Sequence, residues 1–308
     1  MATRKMTLPK LMVDFDTDAE CRALLERLRW PNGVRCVRCD SDRISRITTR
    51  KQYACGACQH RFSVTAGTVL NDSHLSLPKW FMAVLLMCEA KKSMSANQLM
   101  RTLGVAKKTA WYLNHRIREA MRDVNPEPLS GTVEVDETYV GGKYRTPKGQ
   151  PARRGRPKLS VDNKSMVLAA IERGGNIRLK VETRATKKLL HGFINEYVAG
   201  HTAAIYTDEL PAYLGIADAD TRHETVKHSV NEYVRGDVHT NTVEGAFSLF
   251  KRAIVGSFHQ VSKKHLERYL DEFEFRFNNR KNGYLFRDTL TRLVTAKALP
   301  YDALTKPA

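Results

Sequence analysis

The sequence has no apolar run approaching the ~18 residues that a membrane-crossing helix requires, and its richest stretch, Trp80 to Met87, is far shorter. The opening segment MATRKMTLPKLM lacks the continuous apolar core of a secretory signal, so a cytoplasmic location is expected. Acid is scarce: 33 Asp and Glu stand against 51 Lys and Arg, leaving a formal charge of +18. With no membrane span, that surplus points to a polyanionic partner, DNA or RNA. Cysteines number only six, four of them in two C-x-x-C pairs while Cys21 and Cys88 stand alone. In a reducing compartment this asymmetry favours a metal over disulfides, and the two lone cysteines read as core residues. No internal repeat is present, which excludes a solenoid. At 308 residues, 42% hydrophobic and 27% charged, the composition is that of a globular chain with two or three cores.

Organisation follows from periodicity. Residues 14–30 place Ala23, Leu24, Leu25 and Leu28 at helical spacing, and residues 33–70 form a Cys-, Gly- and Thr-rich module with little periodicity. Helices are expected at about 78–91, 95–103 and 107–121, punctuated by Pro78, a Ser95–Gln98 capping box, Leu103-Gly104 and Asn125-Pro126. From Gly131 the pattern changes to alternation, Val133 and Val135 on one side of a strand, Glu134 and Asp136 on the other. Further strands are expected at 165–172, 176–183, 203–207 and near 223–228, with helices at about 186–198, 240–255 and Lys263 to Asn279. The expected domains are an N-terminal helix (1–32), a metal module (33–70), a helix-turn-helix-like segment (71–128) and a mixed α/β domain (129–308), making a multidomain α+β protein.

The chemistry-bearing residues fall into separate groups. Cys36-x-x-Cys39 and Cys55-x-x-Cys58, fifteen residues apart, suit a tetrahedral four-thiolate zinc site whose closed shell makes the metal structural. His60 nearby reads as a surface side chain. The third expected helix carries Lys107, Lys108, Thr109, Tyr112, His115 and Arg116 on positions taken as exposed, a mixture suited to a recognition helix or to a plain solvated basic face. Asp136 ends the V-E-V-D strand, Asp208 ends the I-Y-T-D strand, and Glu244 stands on a helix one turn after Asn241 and two turns before Lys251. Carboxylates are hard oxygen ligands suited to two Mg²⁺ or Mn²⁺ ions in phosphodiester chemistry, and an ammonium on the same helical face can grip a phosphate. Asn241 is the alternative third ligand. The loop 143–160 holds seven basic side chains and no acid between Lys143 and Lys158; within it Arg153, Arg154, Arg156 and Lys158 frame an R-G-R-P sequence suited to a narrow minor groove or to phosphates alone.

The ribbon C-V-R-C and C-G-A-C leading into F-S-V-T-A-G-T, then V-E-V-D-E-T-Y-V-G-G, I-Y-T-D-E-L, and the block E-Y-V-R-G-D-V-H-T-N-T-V-E-G-A-F-S-L-F-K-R continuing into K-K-H-L-E-R-Y-L-D-E-F resemble the zinc-ribbon insertion-sequence transposases of the ISXO-like type. The resemblance runs nearly the length of the chain. It implies a ribonuclease-H-like DDE catalytic domain with a first Asp at Asp136, a second at Asp208 and a third ligand at Glu244 or Asn241, of which Glu244 holds a cation more firmly. It further implies structural zinc, catalytic magnesium or manganese, a homo-oligomer, and double-stranded DNA as partner, engaged through Lys251 and Arg252 as well as the helical and loop residues above. Two rival readings are a DNA-binding regulator with a non-catalytic α/β domain, which leaves the ordered acids unexplained, and a ribonuclease-H-like nuclease or resolvase without strand transfer.

Overall fold

A helix that opens on Pro9 (α1, Leu8–Asp14) leads to one whose start is fixed by a reciprocal capping box, Thr17 accepting from the Glu20 N–H while Glu20 reaches back (α2, Asp18–Arg29). In this computed structural model residues 5–141, 164–217, 221–230 and 232–306 are described. Two units emerge, one formed by residues 1–122 together with 281–308, the other by 123–280. Among the described residues no helix is long and apolar enough to cross a membrane.

In the first unit, β1 (Ile44–Ile47), β2 (Gln52–Cys55) and β3 (Arg61–Phe62) form an antiparallel sheet over a small aromatic core. Trp30 meets Tyr53 and Phe62 edge-on at 5.5 and 5.9 Å between ring centroids. Three helices follow, α3 (Leu77–Glu89), α4 (Ala96–Leu103) and α5 (Lys107–Met121). The Ser95 hydroxyl accepts from the Gln98 N–H at the start of α4, and Gly104 closes it at φ +61°, a left-handed conformation in which a Cβ is strained.

Residues beyond 280 return to this unit, so the expected 129–308 block ends earlier than its sequence order suggests. The physical reason is α9 (Leu285–Thr295), whose buried stripe of Phe286, Leu290, Leu293 and Val294 packs on α2, α3 and α5. A short α10 (Tyr301–Thr305) completes the unit.

The second unit is built on a five-stranded sheet in the order β6-β5-β4-β7-β8. Its strands are β4 (Thr132–Gly141), β5 (Lys164–Glu172), β6 (Ile177–Glu182), β7 (Ala204–Thr207) and β8 (Arg222–Thr225). The first three pair antiparallel, while β7 lies parallel to β4 and β8 parallel to β7. Mixed pairing in one sheet, with helices between its strands, is the mixed α/β domain expected from the alternation of predicted elements. Alternation along β4 sends Val133 and Val135 into a core with Leu190, Phe193 and Ile194 of α6 (Lys187–Tyr197). On the other face, Val140 joins Val167 and Ala169 of β5 against α7 (Asn241–Ala253) and α8 (Lys263–Asn278). A two-stranded ribbon, β9 (Val234–Arg235) and β10 (Val238–His239), leads into α7, which runs on as a π-turn over Ile254–Phe258.

Candidate active site and metal-binding ribbon

In the ribbon the four expected thiols converge. The Sγ atoms of Cys36, Cys39, Cys55 and Cys58 all lie within 4.8 Å of one another, with Cys36–Cys58 and Cys39–Cys55 separations of 3.6 Å. A tetrahedron of Zn–S bonds near 2.3 Å needs sulfurs about 3.8 Å apart, so the donor set fits zinc. The Cys58 backbone N–H outweighs burial and pulls the Cys55 thiol down to about 6, toward the thiolate that a metal requires. His60 is half-buried and stacks on Phe62, outside the sulfur cluster. Cys21, fully buried, is pushed up to about 12 by desolvation and accords with a core role, whereas Cys88 is half-buried beside the Thr289 hydroxyl.

The acidic residues gather on the α7 face of the sheet. Parallel pairing of β4 with β7 ends at Glu134 opposite Tyr206; two residues further on stand Asp136, still on β4, and Asp208, the first residue past the end of β7. Because side chains alternate and neighbouring strands lie about 4.8 Å apart, that register sets the two carboxylates side by side on one face. Glu244, on the first turn of α7, faces Asp136 across an open cavity of ≈ 510 Å³ lined also by Thr138, Phe247, Ser248, Lys251 and Arg252. Glu244, Lys251 and Arg252 are exposed, as is Asn241 at the start of the same helix.

Electrostatics reveals how closely the acids converge. Burial, then the charges of Glu137, Asp208 and Glu244, push the Asp136 carboxyl up to about 8, against the stabilising N–H of Glu137 at 2.8 Å. Such a cluster favours a proton or a cation in its midst. Among the described residues only the four cysteines form a group of three or more ligand atoms that could hold a metal ion; Asp136, Asp208 and Glu244 do not form such a group. Their all-oxygen donors are hard ligands of the kind that suits a divalent ion such as magnesium or manganese.

Two residues that sequence reasoning did not single out hold this arrangement. Glu134, fully buried, accepts from the Thr242 and Val243 N–H groups at 2.8 and 3.1 Å and from the Thr242 hydroxyl at 2.8 Å. It thus caps α7 from β4, two residues before Asp136. Arg173 donates to it at 2.7 Å and the His239 ring stands 3.2 Å away. An acid at an inward strand position was the available signal. Glu137 accepts from the fully buried Tyr213 hydroxyl at 2.8 Å, tying the end of the acidic run to the segment after Asp208.

The helix expected to present a DNA-reading face behaves differently. Lys107, Lys108 and Thr109 are exposed, but His115 is fully buried and Arg116 only 4% exposed. Arg116 donates to the Asn71 carbonyl and lies over Trp80 and Tyr112, while Tyr112, half-buried, donates to the Leu299 carbonyl. The face expected to be exposed is therefore turned inward from Tyr112 onward, because the turn before α3 and the segment around α10 cover it. The basic-loop candidates Arg153, Arg154, Arg156 and Lys158 lie outside the described residues.

A ribbon whose four cysteines can hold a metal and a mixed α/β sheet carrying acids at its strand ends mark a class, and comparison with known families identifies it. Residues 128–278 match the ISXO2-like transposase domain and residues 16–61 the transposase zinc-ribbon domain. The chain is 34% identical over 275 residues to an uncharacterized protein in transposable element ISH50 of Halobacterium salinarum strain NRC-1, covering 85% of this chain and 91% of that one. This protein belongs to the ISXO2-like, zinc-ribbon transposase family. Among solved structures, a Mos1 strand transfer complex is 14% identical with a TM-score of 0.29 over 73% of this chain and 79% of that chain. A simian T-cell lymphotropic virus intasome bound to PP2A regulatory subunit B56 gamma is also 14% identical, with a TM-score of 0.29 over 57% of this chain and 63% of that chain.

Proposed function

We propose that this transposase, acting in the cytoplasm as a homo-oligomer, recognises the terminal inverted repeats of its own element, nicks them, and joins the freed 3′ ends to target DNA. The observation that supports the reading is the β4–β7 register, which brings Asp136 and Asp208 to neighbouring strand ends, together with the cavity that Asp136 shares with Glu244 of α7. Asp136, Asp208 and Glu244 would together hold two divalent cations, with Asn241 one turn before Glu244 as the alternative third ligand. Bound there, magnesium or manganese would activate the attacking water or 3′-hydroxyl and stabilise the leaving oxygen.

The chain's own residues supply the rest. Lys251 and Arg252, exposed on the cavity rim, offer cations to the phosphates flanking the scissile bond. Glu134 fixes the start of α7, and so the height of Glu244 above the sheet. The ribbon, structured by zinc, together with Lys107, Lys108 and the basic loop, would position DNA through its phosphates. A relative borne by a transposable element supports the same reading.

Purified Asp136→Ala should still bind a terminal-repeat duplex in a mobility-shift assay and yield no nicked strand in Mn²⁺. Retained nicking would remove the assignment. A labelled terminal repeat incubated with target plasmid separates the transposase from a nuclease, since only strand transfer gives joined products.

A further inference from the structure

Within the first unit lies a second cavity, of ≈ 560 Å³, distinct in position and chemistry from the acidic one. Its walls come from the Asp72–Leu75 turn, Trp80 of α3, the first turns of α5 and Tyr301 of α10. Arg116 forms part of the lining. Its guanidinium sits 5.0 Å from the ring centroids of both Trp80 and Tyr112 and donates to the Asn71 carbonyl, while its Nε is buried without a hydrogen-bond partner. At the mouth, the exposed Lys108 lies 4.6 Å from the Tyr301 ring centroid, and Tyr301 meets Tyr112 edge-on at 5.3 Å.

The lining therefore combines two cations with two half-buried phenol rings, at the start of a fifteen-residue helix whose dipole adds positive potential. The acid in it, Asp72, is exposed at the rim, receives a hydrogen bond from the Asn71 amide at 2.7 Å and offsets part of the Arg116 charge, leaving Lys108 and the α5 start as the uncompensated positive end. Rings stack on nucleobases and cations pair with phosphate, and the volume lies within the ~300–1,000 Å³ of small-molecule sites. A stacked, paired base cannot enter a concave pocket of this kind. An unstacked nucleotide can.

We propose that this pocket receives one unstacked nucleotide of a DNA strand, its base against Tyr112 and Tyr301 and its phosphate at Lys108 and the first turn of α5, with Arg116 supplying charge from beneath. The proposal rests on the DNA-acting reading above, and it gives the buried end of α5 a use that major-groove reading does not. An acidic peptide segment is the competing occupant; the rings favour the nucleotide, since a carboxylate makes no use of stacking.

The test uses the full-length zinc-loaded protein and two fluorescein-labelled probes, a short single-stranded oligothymidylate and a duplex of mixed sequence, read by anisotropy. Tyr301→Ala should weaken single-strand binding about tenfold while duplex binding stays within about twofold, Tyr301→Phe should behave as wild type, and Lys108→Ala should weaken both probes, the single strand more. Unchanged single-strand affinity in Tyr301→Ala, equal losses of that variant on both probes, or displacement of the strand by polyglutamate as readily as by unlabelled oligothymidylate would overturn the proposal. Circular dichroism melts identify any variant that loses its fold; should Tyr301→Ala do so, Tyr301→Leu, which keeps the bulk and removes the ring, takes its place. Nicking of a terminal-repeat duplex is scored in parallel: wild type that nicks but shows no Tyr301-dependent strand binding sinks only the pocket. Wild type that binds the strand through Tyr301 yet never nicks sinks only the catalytic assignment.

Discussion

Asp136 carries the largest consequence of any single side chain. Its folded-state value of about 8 lies far above the ordinary carboxyl value of 3.8, so the metal-free native protein holds a proton that the unfolded chain releases. The associated stability is fully present below about pH 4 and is lost as pH rises toward about 8. Thermal melts of chelator-treated protein should therefore fall across that window in wild type and fall less in Asp136→Asn, and Mn²⁺ should restore the wild type at the alkaline end. Identical slopes in the two proteins would show that Asp136 is not strained by its neighbours. Glu134 is the complementary case. Replacing it with Ala strips Arg173 and two α7 N–H groups of their buried acceptor, and a loss of about 3–5 kcal/mol in urea titration is expected, with Gln retaining part of it.

The sequence reading of these residues succeeded where the chemistry was periodic and failed where it was spatial. Val133, Glu134, Val135 and Asp136 announced a half-buried strand and both acids at its correct face, because alternation is a local property. That Glu134 caps a helix more than a hundred residues away is not local, and nothing in its neighbours signals it.

Among the elements, the ribbon and α4 make the sharpest expectations. Four thiols within 4.8 Å and an aromatic core of Trp30, Tyr53 and Phe62 leave the module dependent on its metal. Removing zinc with a strong chelator should abolish near-ultraviolet signal from Trp30, and Cys36→Ser should do so without chelator; an unchanged spectrum would count against a structural metal. Gly104→Ala should cost about 1 kcal/mol, since φ there is +61° and space is open around the missing Cβ. The helix borders at 78–91, 95–103 and 107–121 lay within one or two residues of those found, for Pro78, Ser95 and Gly104 are punctuation that acts locally. Which face of α5 meets solvent was misjudged at His115 and Arg116. Charge suggested exposure, but Arg116 is held by Trp80, Tyr112 and the Asn71 carbonyl, partners far off in sequence.

At the scale of the molecule, the division of the chain was the least legible feature. Phe286, Leu290, Leu293 and Val294 carry a helical stripe that sequence inspection can detect, yet no pattern says which core it completes. Because that stripe packs on α2, α3 and α5, a chain stopped at residue 280 should lose cooperative unfolding of the first unit while keeping the β4–β8 sheet, measured by hydrogen exchange. Protection retained in α3 and α5 would show that α9 is dispensable.

The return of residues 281–308 to the first unit also orders events during synthesis. The ribbon-bearing half is made first but stays incomplete until residues 285–295 have left the ribosome, by which time the sheet-bearing half has been fully translated. A fragment from an early stop codon would thus expose the apolar faces of α2, α3 and α5 and go to proteolysis before it could accumulate beside the full-length chain.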